Sequence, residues 1–217
     1  MPDLAVTTEI ETRLSAGLSE LSLYVTDAQQ ESLLRYIQLL LKWNKVYNLT
    51  AIRSPVEMVV RHLLDSLAIA PWCEGRRVID VGTGAGLPGV PLAIIFPDQE
   101  VHLLDSNGKK TRFLFQVKTA LCLDNISVHH ARVESFRPIQ RYDAVLSRAF
   151  ASLVDMASSC GQLLCDSGKF MAMKGSVGQA ELATVEALGY VPTVHELCVP
   201  GLSETRHLVI LSGKKSG

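Results

Sequence analysis

The sequence is short of three things, and each shortage removes a class of protein. No stretch of about 18 uncharged apolar residues is present, the length a membrane-spanning helix needs; the nearest candidate is interrupted by Pro88, Pro91 and Pro97. Cysteines number five (Cys73, Cys122, Cys160, Cys165 and Cys198), an odd count without a C-x-x-C pair. That excludes a zinc ribbon or a disulfide framework and leaves buried thiols as the expectation. Net charge is nearly absent: 21 basic and 22 acidic side chains leave −1. A protein that coats nucleic acid through bulk charge is excluded, whereas a local basic patch is not, because binding follows the field at a surface. The first twenty-five residues carry Asp3, Glu9, Glu11, Arg13 and Glu20 and no secretory h-region, so a cytoplasmic protein is expected. Internal repeats, low-complexity blocks and Gly/Ser linkers are lacking too. There is no Ser-His-Asp or Cys-His constellation and no His-x-x-x-His. His129 and His130 are adjacent on a strand candidate and point to opposite faces, so no metal is expected.

What is present is an ordinary globular composition: 217 residues, 47% apolar and 20% charged. At ~150 residues per domain this is one domain with an extension. The pattern changes once, near residue 71, which divides a helical extension (1–70) from the main domain (71–217). In the extension, Thr26 and Gln29 form a capping box before an apolar face of Leu33, Leu34, Ile37, Leu40 and Leu41. A second helix opens at Ser54-Pro55-Val56-Glu57, where proline lacks only an N–H that would be orphaned anyway. Met58, Val59, His62, Leu63 and Leu67 lie along its stripe.

Beyond Pro71 the reading is α/β. Strand candidates are Val78–Val81, Val101–Asp105, Ile126–His130, Ala144–Ser147, Lys169–Lys174, Val191–Val199 and His207–Leu211. Helical patterns at Val90–Phe96, Lys109–Leu121 and Leu153–Cys165 separate several of them. Alternation of this kind predicts a Rossmann-like, mostly parallel sheet of about seven strands, covered on both faces. The last two strands leave no room for a helix between them, so they form a terminal antiparallel hairpin.

The most informative segment is Asp80-Val81-Gly82-Thr83-Gly84-Ala85-Gly86-Leu87-Pro88-Gly89. A strand enters, alternate glycines bend the chain, and a helix leaves. This is where open α/β sheets bind ligands. Residues 84–89 match G-x-G-x-x-G, with Asp105 21 residues after Gly84, which keeps a nicotinamide dinucleotide and an oxidoreductase in view. Two features weigh against it. The glycines directly after the strand are Gly82, Gly84 and Gly86, and Asp80 at the turn would repel a pyrophosphate. S-adenosylmethionine, with a sulfonium and no phosphate, fits better, and Asp105 at the end of the second strand could accept hydrogen bonds from its ribose hydroxyls.

The runs Trp43–Thr50, Arg61–Ser66 and Asp80–Gly89, followed by Leu104-Asp105-Ser106, Arg132-Val133-Glu134, Ser147–Ala151, Met173-Lys174-Gly175 and Arg206–Val209, together resemble one family in a fixed order. It is the ribosomal RNA small subunit methyltransferase G family, also called glucose-inhibited division protein B, and the resemblance spans roughly residues 26 to 211. It implies a class I methyltransferase fold, S-adenosyl-L-methionine as cofactor, and methyl transfer to N7 of a guanine in 16S ribosomal RNA of the small subunit. By that resemblance Gly82, Thr83, Gly84, Gly86 and Leu87 form the floor of the cofactor pocket and Asp105 takes the ribose. Val133 and Glu134 lie by the adenine, and Arg148 stands at the pocket mouth. Arg148, Lys174 and Arg206 are expected at the reacting edge, and Asn48, Arg53, His62 and Arg132 on the RNA side. The basic run Lys109, Lys110, Arg112 and Lys118 is either a solvated face or a phosphate contact. Trp43 and Tyr47 are expected to pack against the sheet. Guanine N7 has a free lone pair, so the missing catalytic triad costs this reading nothing. A non-catalytic RNA-binding or assembly protein on the same fold is the other alternative. No metal or membrane partner is expected, and nothing in the sequence requires more than a monomer.

Overall fold

A computed structural model describes residues 4–213. Two long helices, α1 (Leu4–Glu20) and α2 (Asp27–Tyr47), precede a short α3 (Pro55–Met58) that passes through a π-helical segment (Val59–Leu64) into α4 (Asp65–Leu67). The capping box forms as the sequence indicates. Gln29 N–H donates to Thr26 Oγ1 at 3.3 Å, and Thr26 N–H donates to Gln29 Oε1 at 3.0 Å. Ser54 caps α3 with Pro55 inside the first turn. The second helix is not the uniform α-helix its stripe suggests, because the π-helical segment interrupts it.

The sheet follows: β1 (Arg77–Val81), β2 (Glu100–Asp105), β3 (Ile126–His130), β4 (Tyr142–Ser147), β5 (Leu164–Lys174), β6 (Val191–Leu197) and β7 (Arg206–Ser212). Their order is β3-β2-β1-β4-β5-β7-β6. The pairs from β3 to β5 are parallel, whereas β7 runs antiparallel to both β5 and β6. Helices α5 (Gly89–Ile95), α6 (Gly108–Leu121), α7 (Leu153–Cys160) and α8 (Gln179–Ala187) complete the chain. The strand order reverses between β1 and β4, the place where such sheets bind ligands.

The boundary between α7 and β5 also differs from the sequence reading. The helix expected to reach Cys165 stops at Cys160, and β5 starts at Leu164, not Lys169. Gly161 weakens the helix there, and Leu164 instead pairs with Tyr142 on β4.

The interior has two parts, one on each face of the sheet. The larger joins Leu14, Leu33, Tyr36 and Leu40 of α1 and α2 to Val101 and Leu103 of the sheet and to Phe113 and Val117 of α6. The smaller packs Met156 and Cys160 of α7 and Val185 on Ile79, Val145 and Phe170. Gln29 also donates to the carbonyls of Ile94 and Ile95, and Arg35 to that of Ala120. The first helices are thereby locked over α5 and α6, on the glycine-turn side of the sheet. Trp43 and Tyr47 stack on each other at 5.2 Å, and Trp43 meets Phe113 of α6. Among the described residues no helix is long and apolar enough to cross a membrane.

Candidate active site

The carboxyl ends of β1, β2, β4 and β5 share one edge of the sheet, and the site is built there. At the end of β1 the chain turns through Gly82 and Gly84, both with positive φ (68° and 62°), a conformation glycine adopts without strain. Asp80 anchors the turn from below. Its carboxylate is wholly buried and accepts from Thr83 Oγ1 at 2.6 Å and from Gly89 N at 2.8 Å. Burial pushes its pKa up to about 6, against the pull of those two hydrogen bonds. Asp80 is therefore a brace beneath the turn. The expectation that its charge faces and repels a pyrophosphate is corrected, since no part of it reaches the surface.

Four expected floor residues separate in the same way. Thr83 is buried and its hydroxyl is committed to Asp80. A Cβ on Gly86 would come within 2.5 Å of Val90 on α5 and 2.8 Å of Leu114 on α6, so this glycine admits both helices, and Leu87 lies in the core. Above Gly84 there is space: a Cβ there would meet nothing closer than 3.9 Å. Tyr36 of α2 reaches this turn from outside, its buried hydroxyl donating to the Ala85 carbonyl at 2.8 Å. No sequence signal marked that role.

Asp105 ends β2 beside the turn. Its Oδ2 accepts from Gly84 N at 2.9 Å and its Oδ1 from Asn107 N at 2.8 Å. Asn107 caps α6. A cleft of about 370 Å³ opens in front of Asp105, lined among others by Gly82, Lys110, Arg132, Val133 and Glu134. That volume lies in the ~300–1,000 Å³ range of small-molecule sites. Lys110 Nζ stands 3.7 Å from Asp105 Oδ2, so one member of the basic run belongs to the cleft. The residues present fit S-adenosylmethionine. An acceptor carboxylate faces the cleft, Gly82 lines it without a side chain, and Glu134 stands on the β3 side.

Farther along the edge, Ser147 Oγ donates to Val81 O at 2.8 Å and accepts from Ala149 N at 3.0 Å, which fixes the end of β4 beside the glycine turn. Arg148, the residue between them, does not line the cleft, contrary to the cofactor role expected for it. Its Nη1 lies 3.2 Å from Asp65 Oδ2. Arg206 Nε lies 3.3 Å from the other oxygen, Asp65 Oδ1. Asp65 lies within the Arg61–Ser66 motif, where the sequence alone points to no role for it. Burial raises its pKa, and Arg148 and Arg206 pull the other way. Lys174 Nζ donates to Glu181 Oε1 at 2.5 Å and to Ala151 O at 3.1 Å. The Lys174–Gly175 bend adjoins Arg206, whose Nη1 is 3.7 Å from where a Gly175 Cβ would stand.

Of the residues expected on the RNA side, Asn48 and Arg53 are exposed neighbours joined by a 2.7 Å hydrogen bond. Arg132 is exposed and lines the cleft. His62 is corrected: its ring is buried, with Nε2 3.0 Å from Thr50 Oγ1, because it falls on the apolar stripe of its helix. Burial first, then the nearby Arg148, lowers its pKa to about 4. Among the described residues no group of three or more His, Cys, Asp or Glu side chains could hold a metal.

Comparison with known proteins agrees with this geometry. The structure resembles an S-adenosylmethionine-dependent O-methyltransferase from Thermotoga maritima (TM-score 0.57, 17% identity, 70% of this chain and 66% of that one). It also resembles a methyltransferase of the same dependence from Aquifex aeolicus (0.54, 15%, 69% and 89%). At such identities the likeness speaks for the fold alone. In sequence, the chain is 50% identical over 206 residues to a ribosomal RNA small subunit methyltransferase G from Pseudomonas syringae pv. syringae, covering 95% of this chain and 96% of the relative. It is 52% identical over 200 residues to one from Shewanella amazonensis, covering 92% and 97%. The family model GidB, rRNA small subunit methyltransferase G, matches residues 29–209. By fold, by the order of its motifs and by identity across nearly its whole length, the chain belongs to the ribosomal RNA small subunit methyltransferase G family.

Proposed function

We propose that this chain methylates N7 of a guanine in 16S ribosomal RNA of the small subunit, with S-adenosyl-L-methionine as the methyl donor, as a monomer in the cytoplasm. The observation that carries the reading is the Asp105 carboxylate, held against Gly84 N at the mouth of a cleft where the strand order reverses.

When bound, S-adenosylmethionine supplies a methyl carbon activated by its sulfonium. Asp105 would hold the ribose hydroxyls, since a carboxylate has about four acceptor positions and keeps some free after two N–H bonds. Val133 and Glu134 would border the adenine. Gly82 and Gly84 let the chain run close to the methionine end.

On the other side of the edge stand Arg148, Arg206 and Lys174. These are donors only. They suit a nucleophile that has no proton to lose, because guanine N7 attacks with a lone pair already free. Their task would be alignment, gripping phosphate or guanine O6 so that nitrogen, carbon and sulfur lie in line, an effect worth several kcal/mol of barrier. Asp65 and Glu181 offset part of their charge, which limits repulsion of the cation that methylation creates on the purine. Residues 1–70 act here as a helical extension that supplies Asp65 and Tyr36 to the main domain, 71–217. Asn48, Arg53 and Arg132 extend the RNA contact.

The test is mass spectrometry of 16S RNA from a strain lacking the gene, before and after incubation with the purified protein and S-adenosylmethionine. The expected result is one N7-methylguanine that is absent from the deletion strain and restored in vitro. RNA that keeps this methyl group without the gene would leave only a non-catalytic RNA-binding role.

A further inference from the structure

Resting on that reading, we infer that Asp65 is a positioning residue that clamps Arg148 and Arg206 into one guanidinium pair facing the RNA. The three side chains come from separate parts of the chain. Asp65 opens α4, Arg148 follows β4 and Arg206 opens β7. Each carboxylate oxygen serves one arginine, Oδ2 at 3.2 Å from Arg148 Nη1 and Oδ1 at 3.3 Å from Arg206 Nε.

Burial is graded along the cluster. The Asp65 side chain is 3% exposed, whereas those of Arg148 and Arg206 are 29% and 24% exposed. The carboxylate is hidden, whereas each arginine side chain is partly exposed. Stability alone does not account for such a group, because a buried charge cluster is often no more stabilising than apolar packing of the same volume. A clamp does account for it. An arginine has five N–H donors in a rigid fork. Each guanidinium has one nitrogen within ion-pair distance of Asp65, and Arg206 Nη1 also donates to Thr205 O at 3.2 Å, which together orient the donors that remain. The formal charge of the three groups is +1, enough to attract a phosphate or guanine O6 and less than two unscreened guanidiniums would bring to a purine that becomes cationic.

The backbone ahead of Asp65 supports the same conclusion. The π-helical segment Val59–Leu64 ends directly at Asp65, whose N–H points to the carbonyls of Val60 and His62. A widened turn displaces the following residues from the register of an α-helix, and such turns within helices often accompany functional sites. Here it delivers a buried carboxylate to the sheet edge.

The experiment is a double-mutant cycle of Asp65→Asn with Arg148→Ala in the full-length protein. It is read in four ways: kcat and KM on 16S RNA substrate, binding of the same RNA, affinity for S-adenosylhomocysteine, and melting temperature. Asp65→Asn is expected to lower kcat/KM by roughly 10- to 100-fold, the scale of a misplaced positioning group, and to weaken RNA binding, with S-adenosylhomocysteine affinity within about twofold of wild type. In the Arg148→Ala background the same change is expected to cost less than about threefold, because the partner it acts through is gone. Wild-type turnover in Asp65→Asn, or losses that simply add to those of Arg148→Ala, overturns the inference. If Asp65→Asn does not fold, Asp65→Glu takes its place. It keeps the charge and moves the carboxylate by one methylene, so the same loss is expected, and wild-type values again overturn the inference. A wild-type protein that binds the RNA but methylates no guanine overturns the proposed function, while the RNA-binding cycle still decides the role of Asp65. A wild type that does neither overturns both.

Discussion

The Gly84 N–H donates to Asp105 Oδ2 across 2.9 Å, so the turn after β1 and the last residue of β2 form one rigid unit. A single carboxylate both braces the glycine turn and faces the cleft. Asp105→Asn is expected to weaken S-adenosylhomocysteine binding at least tenfold, because an amide replaces one of two acceptor oxygens with a donor. Titration calorimetry checks this, and unchanged affinity would remove Asp105 from the binding surface.

Gly84 and Gly86 look alike in sequence and are expected to fail differently. At Gly84 a Cβ would stand 3.9 Å from Lys110 Nζ, a cleft residue, and meet nothing closer, with a cost of about 1–2 kcal/mol for the positive φ. Gly84→Val should therefore fold and lose cofactor affinity. At Gly86 a Cβ would meet Val90 at 2.5 Å and Leu114 at 2.8 Å, again with positive φ. Gly86→Val should lose about 2–4 kcal/mol of stability from overpacking and strain together. Denaturant unfolding and calorimetry on the two variants separate these outcomes.

Tyr36 carries a buried hydroxyl whose bond to Ala85 O, at 2.8 Å, ties the second helix to the cofactor turn. Tyr36→Phe strands the Ala85 carbonyl and is expected to cost about 1–3 kcal/mol of folding stability. A denaturant midpoint equal to wild type would show that the bond contributes nothing.

His62 makes stability depend on pH. Burial and Arg148 hold its pKa near about 4, below the usual 6.5. The folded protein keeps the ring neutral where the unfolded chain protonates it, so this contribution is complete above pH 6.5 and is lost as pH falls toward 4. From pH 7 to pH 5 the stability advantage of wild type over His62→Gln should shrink by about 2 kcal/mol. The opposite slope, or none, would mean that the ring is solvated. The comparison with the variant matters because Asp80, raised to about 6, works in the reverse direction and is lost as a stabilising group when pH rises through that value.

How far the sequence could be read depended on whether the signal was local. The Thr26–Gln29 box, the Ser54-Pro55 start, the glycine turn and Asp105 announce themselves within a few residues, and each stands where the pattern put it. Side-chain direction was not local. Thr83 and Gly86 share the turn with Gly84, yet one is committed downward to Asp80 and the other gives way to α5 and α6. Arg148 follows the strand beside the cleft but turns to Asp65, more than eighty residues earlier in the chain. No periodicity records such a pairing, nor a π-helical segment hidden in a regular apolar stripe. His62 shows the reverse case: its place on that stripe already marked it as interior, and the structure keeps it there.

The claim on which the rest depends is that the cleft before Asp105 takes a sulfonium methyl donor. Titration of the wild-type protein with S-adenosylhomocysteine and, separately, with NAD tests it most directly. The expected result is saturable one-to-one binding of S-adenosylhomocysteine, abolished in Gly84→Val, and no heat from NAD. Saturable binding of NAD with S-adenosylhomocysteine excluded would contradict it.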